Sequence, residues 1–218
     1  MKSIEDLNNE LAESFMKYCD NQTFRLFQTE KAAGKIENSD KLCTEKSIPE
    51  PKIVYGEGDS YAKLMLIGEA PGSEEDRLGR PFVGKAGKNL DEFLKVLNLR
   101  RENIYITNLV KIRPVQLSEK TGRPVNRPPS KIEIEFFKPF LLEEMDIIKP
   151  EWVITLGNYP LKALLGKDST IGLLHGKKTE RDDYTLFPLY HPASIIYNRA
   201  LKDIYYDDLI RLRDDIGV

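Results

Sequence analysis

Three short stretches of this chain carry side chains that could do chemistry together. Glu69 stands in G-E-A-P-G (68–72), Asn108 closes the run I-Y-I-T-N (104–108), and His191 follows L-F-P-L-Y (186–190) and precedes Pro192. A carboxyl, an amide and an imidazole can grip a polar ring, move a proton, or donate to an oxyanion as it forms. Singly, each residue type has a plain structural use: histidine as a hydrogen-bonder, asparagine as a turn residue, an aromatic such as Phe82 as packing. Their weight comes from position, because each polar group follows an apolar run, and open α/β sheets bind ligands at the carboxyl ends of their strands.

The elements that must position them can be read from periodicity and punctuation. Leu64, Met65, Leu66 and Ile67 form a short continuous apolar run ended by Gly68, Pro71 and Gly72, which reads as a buried strand. A loop with Gly68, Gly72, Gly79, Gly84 and Gly87 follows, and then Leu90, Phe93, Leu94 and Leu97 at helical spacing. A second strand is expected over 103–110, parallel to the first because a helix separates them. Trp152 to Leu156 and Leu186 to Tyr190 give a third and a fourth, and a short strand is expected over 52–55. Ser130 and Glu133 match a capping box, so a helix should start at Lys131, with Pro139 kinking or dividing it. Helices are also expected over 159–165 and, from Leu201, Tyr205, Leu209, Leu212 and Ile216, at the C-terminal end; Ile171 to Lys178 is mixed. At the other end Ile4, Leu7, Leu11 and Phe15 put a helix over 3–18 that packs against the body, followed by a polar connecting segment from Gly34 to Pro51. Strands alternating with helices mean an α/β fold with a mostly parallel sheet, here as one domain over 1–218 with its core in 51–218.

Composition narrows the classes. The acidic start and the lack of an apolar run near the roughly 20 residues of a membrane span make an intracellular, cytoplasmic protein the expectation. Two cysteines, Cys19 and Cys43, are too few for a disulfide framework or an all-cysteine metal site. A net charge of −2 does not advertise a nucleic-acid binder, but Lys111, Arg113, Lys120, Arg123, Arg127 and Lys131 face a single acid, Glu119, between 111 and 131. That basic stretch suits either a phosphate backbone or a solvated surface loop. Neither G-x-G-x-x-G nor G-x-x-x-x-G-K-[ST] is present, which disfavours the familiar dinucleotide and P-loop sites.

Taken together, G-E-A-P-G (68–72), E-D-R-x-G-R-P-F-V-G-K-A-G (75–87), I-T-N-L-V-K-x-R-P (106–114), W-V-I-T-L-G (152–157) and Y-H-P-A-S (190–194) with Arg199 resemble the uracil-DNA glycosylase superfamily, most closely its family 4. The resemblance implies a three-layer α/β/α sandwich around a four-stranded, mostly parallel sheet, and an enzyme that flips uracil out of DNA and excises it. It makes His191, Glu69 and Asn108 the catalytic set. Gly68, Ala70, Pro71, Gly72, Phe82, Asn108 and Ser194 become the base-binding residues, and Lys111, Arg113, Lys120, Arg123, Arg127 and Arg199 the DNA contacts. Phe82 would stack on the base, Asn108 would match uracil O4 and N3–H, and His191 would donate to O2.

This sequence departs from the family pattern in several places. Ala70 stands where the best-known branch, with G-Q-D-P-Y, has an aspartate that orients water, so catalysis would rest on leaving-group stabilisation, with water held by Glu69 or the loop backbone. Family 4 members carry four cysteines for a [4Fe–4S] cluster; here Ile112 and Phe137 occupy two of those places and only Cys43 could match a third. Asn126 stands near the place of a histidine that traps uracil covalently in a related branch. The expectation is therefore a monomeric, monofunctional glycosylase without metal or cofactor, acting on uracil-containing DNA and not on membranes. The alternatives are a non-catalytic uracil- or DNA-binding member of the fold and a nucleotide-binding enzyme.

Overall fold

Short apolar runs stopped by glycine or by a polar residue build the sheet, and the helices between them cover it. The computed structural model describes residues 2–32 and 51–217, with side chains at 2–19 and 51–217. The expected connecting segment and Cys43 lie outside the described residues. In chain order the elements are α1 (Ile4–Ala32), β1 (Glu57–Gly58), β2 (Leu64–Gly68), α2 (Ser73–Leu78), α3 (Lys85–Val96), β3 (Tyr105–Asn108), β4 (Val115–Leu117), β5 (Pro124–Asn126), α4 (Lys131–Ile148), β6 (Trp152–Leu156), α5 (Asn158–Leu165), α6 (Ile171–Leu174), β7 (Thr179–Glu180), β8 (Thr185–Leu189), α7 (Ser194–Tyr197) and α8 (Leu201–Ile216). They fall into two compact units, one of residues 51–114 and 126–217, the other of α1 with 115–125.

In the larger unit the sheet order is β1-β3-β2-β6-β8-β7. The four longer strands β3, β2, β6 and β8 run parallel, and the expected four-stranded sheet is extended by β1 and β7, two-residue strands that pair antiparallel at its edges. Leu64 through Gly68 are all buried, as a central parallel strand covered on both faces must be. Alternation along the strands divides the core: Leu64, Leu66, Ile104, Ile106, Ile154 and Phe187 pack with Phe93 and Leu94 of α3 and Leu209 and Leu212 of α8. On the other side Tyr105 reaches Glu144 of α4, and α5 lies on β2 and β6. The chain passes from β2 to β3 on one side and later places β6 on the other. This switch point opens a crevice beyond the carboxyl end of β2.

Several boundaries differ from expectation. No strand forms over 52–55, where Val54 N–H donates to Lys111 O at 2.7 Å; the edge strand comes later, with Gly58 at φ 124 over the Ile104 carbonyl. The strand expected over 103–110 is trimmed to β3, because 101–103 turn as a 3-10 helix and Leu109 and Val110 donate to the carbonyls of Gly68 and Glu69. The Ser130–Glu133 box caps α4 from both directions. Pro139 does not divide that helix, which runs unbroken to Ile148.

In the smaller unit α1 continues well past the expected end at 18, with Leu7, Leu11 and Phe15 buried. Residues 115–125 form a turn-linked ribbon: Ser118 N–H donates to Arg123 O, and Gly122 takes the left-handed turn at φ 64. Among the described residues no helix is long and apolar enough to cross a membrane.

Candidate active site

Parallel register sets Gly68 beside Asn108 at the sheet's carboxyl edge, and His191 lies two residues beyond the last residue of β8. Gly68 is where the site is tightest. A Cβ there would lie 2.3 Å from Asn108 Oδ1 and 2.5 Å from the Phe82 ring, so only glycine lets the amide and the ring share this corner. Phe82 is itself unusual, buried with φ at 53, and its ring stacks against the His191 imidazole at 5.9 Å between centroids.

Glu75 binds the glycine loop into one piece. Its carboxylate accepts the Gly72 N–H at 3.1 Å and the Gly84 N–H at 2.7 Å, joining the two halves of the loop between β2 and α3. Asn89, on α3, donates to Pro192 O at 2.9 Å and so ties the same helix to the histidine segment. Ser194, expected to touch substrate, is not in the cavity wall; its hydroxyl donates to His191 O at 2.6 Å and closes the turn that carries the imidazole.

A cavity of about 570 Å³ lies against these groups, within the range of small-molecule sites. Glu69, Ala70, Pro71, Gly72, Phe82, Asn108 and His191 all line it, with Asn126, Arg127 and Tyr197 at other parts of the wall. The Ala193 N–H donates to His191 Nδ1 at 3.1 Å, which leaves the proton of a neutral ring on Nε2. Burial, opposed by the charge of Glu75, lowers the imidazole pKa to about 4, so His191 is an uncharged donor at neutral pH. Burial has the opposite effect on Glu69 and raises its carboxyl to about 7, the range of a general base. One donor, one amide with both donor and acceptor, one aromatic face and one proton acceptor thus meet in a single cavity. Such a set can hold a planar heterocycle by its polar edge and stabilise negative charge leaving on it.

The basic residues separate into three groups. Lys111 is only 2 % exposed: it forms a 2.5 Å ion pair with Glu144 and bonds Thr107, while the Tyr105 phenol donates to the same carboxylate. It is a core residue, which corrects its reading as a phosphate contact. Arg113 donates to Asn126 Oδ1, and Arg127 makes a two-pronged pair with Glu133. Lys120 and Arg123 are exposed on the ribbon of the smaller unit, and Arg199 is exposed in the larger. Glu75, Asn89 and the tie through Arg101 described below escaped the sequence reading. Glu75 alone left a signal there, in its place three residues after Gly72.

Among the described residues no three His, Cys, Asp or Glu side chains gather as a metal ion would need. The residues present do not fit a four-thiolate cluster either, since Ile112 and Phe137 are buried apolar core and the chain has two cysteines in all.

Residues 55–210 match the Uracil DNA glycosylase superfamily. The chain is 40 % identical over 170 residues to a type-4 uracil-DNA glycosylase of Sulfurisphaera tokodaii, covering 74 % of this chain and 73 % of that protein. It is 39 % identical over 173 residues to the type-4 enzyme of Saccharolobus solfataricus, with 75 % and 76 % covered. To that of Pyrobaculum aerophilum it is 37 % identical over 182 residues, with 80 % and 87 % covered.

Proposed function

Because this chain belongs to the uracil DNA glycosylase superfamily, we propose that it hydrolyses the N-glycosidic bond of deoxyuridine in DNA and releases uracil, the first step of base excision repair. The observation that carries the reading is the uncharged His191 with its proton on Nε2, in one cavity with Asn108 and Phe82. The nucleotide leaves the stack and its base enters this cavity. Phe82 supports the ring, and Asn108 pairs with O4 through its NH2 and with N3–H through its carbonyl, a match that cytosine reverses.

As the bond to C1′ lengthens, its electron pair passes to the base, and negative charge gathers partly on O2. His191 Nε2–H donates to that oxygen; oxyanion donors of this type contribute roughly 3 kcal/mol to the transition state. A neutral donor keeps its proton while the uracil anion leaves. Water bonds to C1′ as the base departs, within the same transition state, and gives its proton to ionised Glu69, whose raised pKa suits the transfer. Ala70 offers no carboxylate, so Glu69 is the acid group of the G-E-A-P-G loop available for this task.

The test is strand cleavage by alkali after incubation of a uracil-containing oligonucleotide with the protein in EDTA. Excision is expected. His191→Ala should slow single turnover by roughly 10²-fold with little change in affinity, because its hydrogen bond strengthens only in the transition state. Asn108→Ala should weaken both binding and excision, since the base edge then enters without its partners. If wild-type protein releases no uracil while both variants lose selective binding equally, the protein reads the base without cutting it.

A further inference from the structure

Nothing in the reaction described above explains why a bulky residue stands in a left-handed backbone conformation at the centre of the site. Phe82 has φ 53, a region that side chains other than glycine and asparagine seldom occupy unless their surroundings hold them there. Arg101, in the 3-10 turn before β3, supplies that hold. Its Nη2 donates to Phe82 O at 2.6 Å and its Nη1 to Pro81 O at 3.3 Å. These carbonyls belong to the two peptide planes on either side of the Phe82 Cα, so one guanidinium holds φ and ψ of Phe82 together, and with them the direction of the Cα–Cβ bond that carries its ring. The rest of the guanidinium is anchored: Nε donates to Asp91 Oδ1 on α3 at 2.7 Å, and Nη1 lies 3.7 Å from Glu57 on β1. Gly87 also lies close to the same carbonyl, where a Cβ would sit 1.8 Å from Phe82 O.

We propose that Arg101 is a positioning residue of this site, which acts through the Phe82 backbone to hold the ring where the flipped base stacks. The role of the ring rests on the glycosylase reading; the hold on its backbone does not. The planar fork of arginine matches two carbonyls at once, whereas a lysine ammonium keeps the charge pairing with Asp91 and Glu57 but lacks the fork.

The test uses the Phe82–His191 stack as its reporter. With two histidines in the chain, the imidazole proton signals of His191 are assigned by comparison with His175→Gln, and the ring current of Phe82 sets their position. Arg101→Met and Arg101→Lys should both move the His191 signals toward the position seen in Phe82→Leu. Asp91→Asn, which removes an ion-pair partner but leaves both carbonyl bonds, should not. In single turnover Arg101→Met should slow uracil excision by about tenfold or more, the scale of a sub-ångström to ångström misplacement. The Phe82→Leu, Arg101→Met double variant should be no slower than Phe82→Leu alone. Unchanged His191 signals in Arg101→Met, rescue of those signals by lysine, or rate losses that add in the double variant would each overturn the proposal. If the signals move as expected but the wild-type protein excises nothing, Arg101 keeps its hold on Phe82 and it is the glycosylase reading that fails.

Discussion

In the proposed reaction the pH dependence of excision follows from two groups of one cavity that desolvation shifts in opposite directions. Glu69 must be ionised to take a proton from water, and its pKa stands at about 7; His191 must be neutral only in the sense of being an uncharged donor, and its pKa stands at about 4. Two units below its pKa, at pH 5, about one Glu69 in a hundred is ionised, whereas about nine tenths of His191 is still neutral. The single-turnover rate should therefore rise about 100-fold from pH 5 to a plateau above pH 7, with a slope near one and no bend from His191 in that interval. Glu69→Gln should lose the slope altogether and run at or below the acid-limb rate. Stability supplies a second readout. An unfolded carboxyl ionises near its ordinary 4.5, while the folded one keeps its proton to about 7, so stability falls as pH rises across that interval. The glutamine variant has no such decline and should unfold at a higher temperature than wild type at pH 8. A wild-type rate that is flat from pH 5 to 9, or a glutamine variant that keeps the slope, would refute the assignment of Glu69.

Two further substitutions probe the frame of the site. Gly68→Ala places a methyl group 2.3 Å from Asn108 Oδ1 and 2.5 Å from Phe82; it should lower stability by about 1–3 kcal/mol and excision by roughly 10²-fold, measured by thermal unfolding and single turnover. Lys111→Met leaves Glu144 buried with its charge unpaired and should cost about 3–5 kcal/mol of stability without changing the salt dependence of DNA binding. Replacing exposed Lys120 and Arg123 together should do the reverse, flattening the salt slope by up to about two charges' worth while stability holds.

The sequence by itself determined the parts that local physics can specify. Leu64 to Gly68 had to be a buried strand, since a short unbroken apolar run stopped by glycine has few other uses, and Ser130 with Glu133 had to start a helix, since both partners of the cap lie within one turn. The residues of the cavity were legible for a related reason: Glu69, Asn108 and His191 each stand at or just beyond the end of a strand, and parallel strands deliver their ends to one edge. What only the tertiary structure decided was which polar groups face one another across long sequence separations. Lys111 lies in a basic stretch, yet the buried carboxylate of Glu144, 33 residues away, draws it into the core. Ser194 turns back to the His191 carbonyl instead of facing the cavity. The state of His191 needs both its burial and the Ala193 N–H, and the ring of Phe82 is aimed from 19 residues away by Arg101. Charge and residue type are visible one position at a time, but desolvation and hydrogen-bond geometry depend on every element packed around a group, and they exist only once the sheet has brought those elements together.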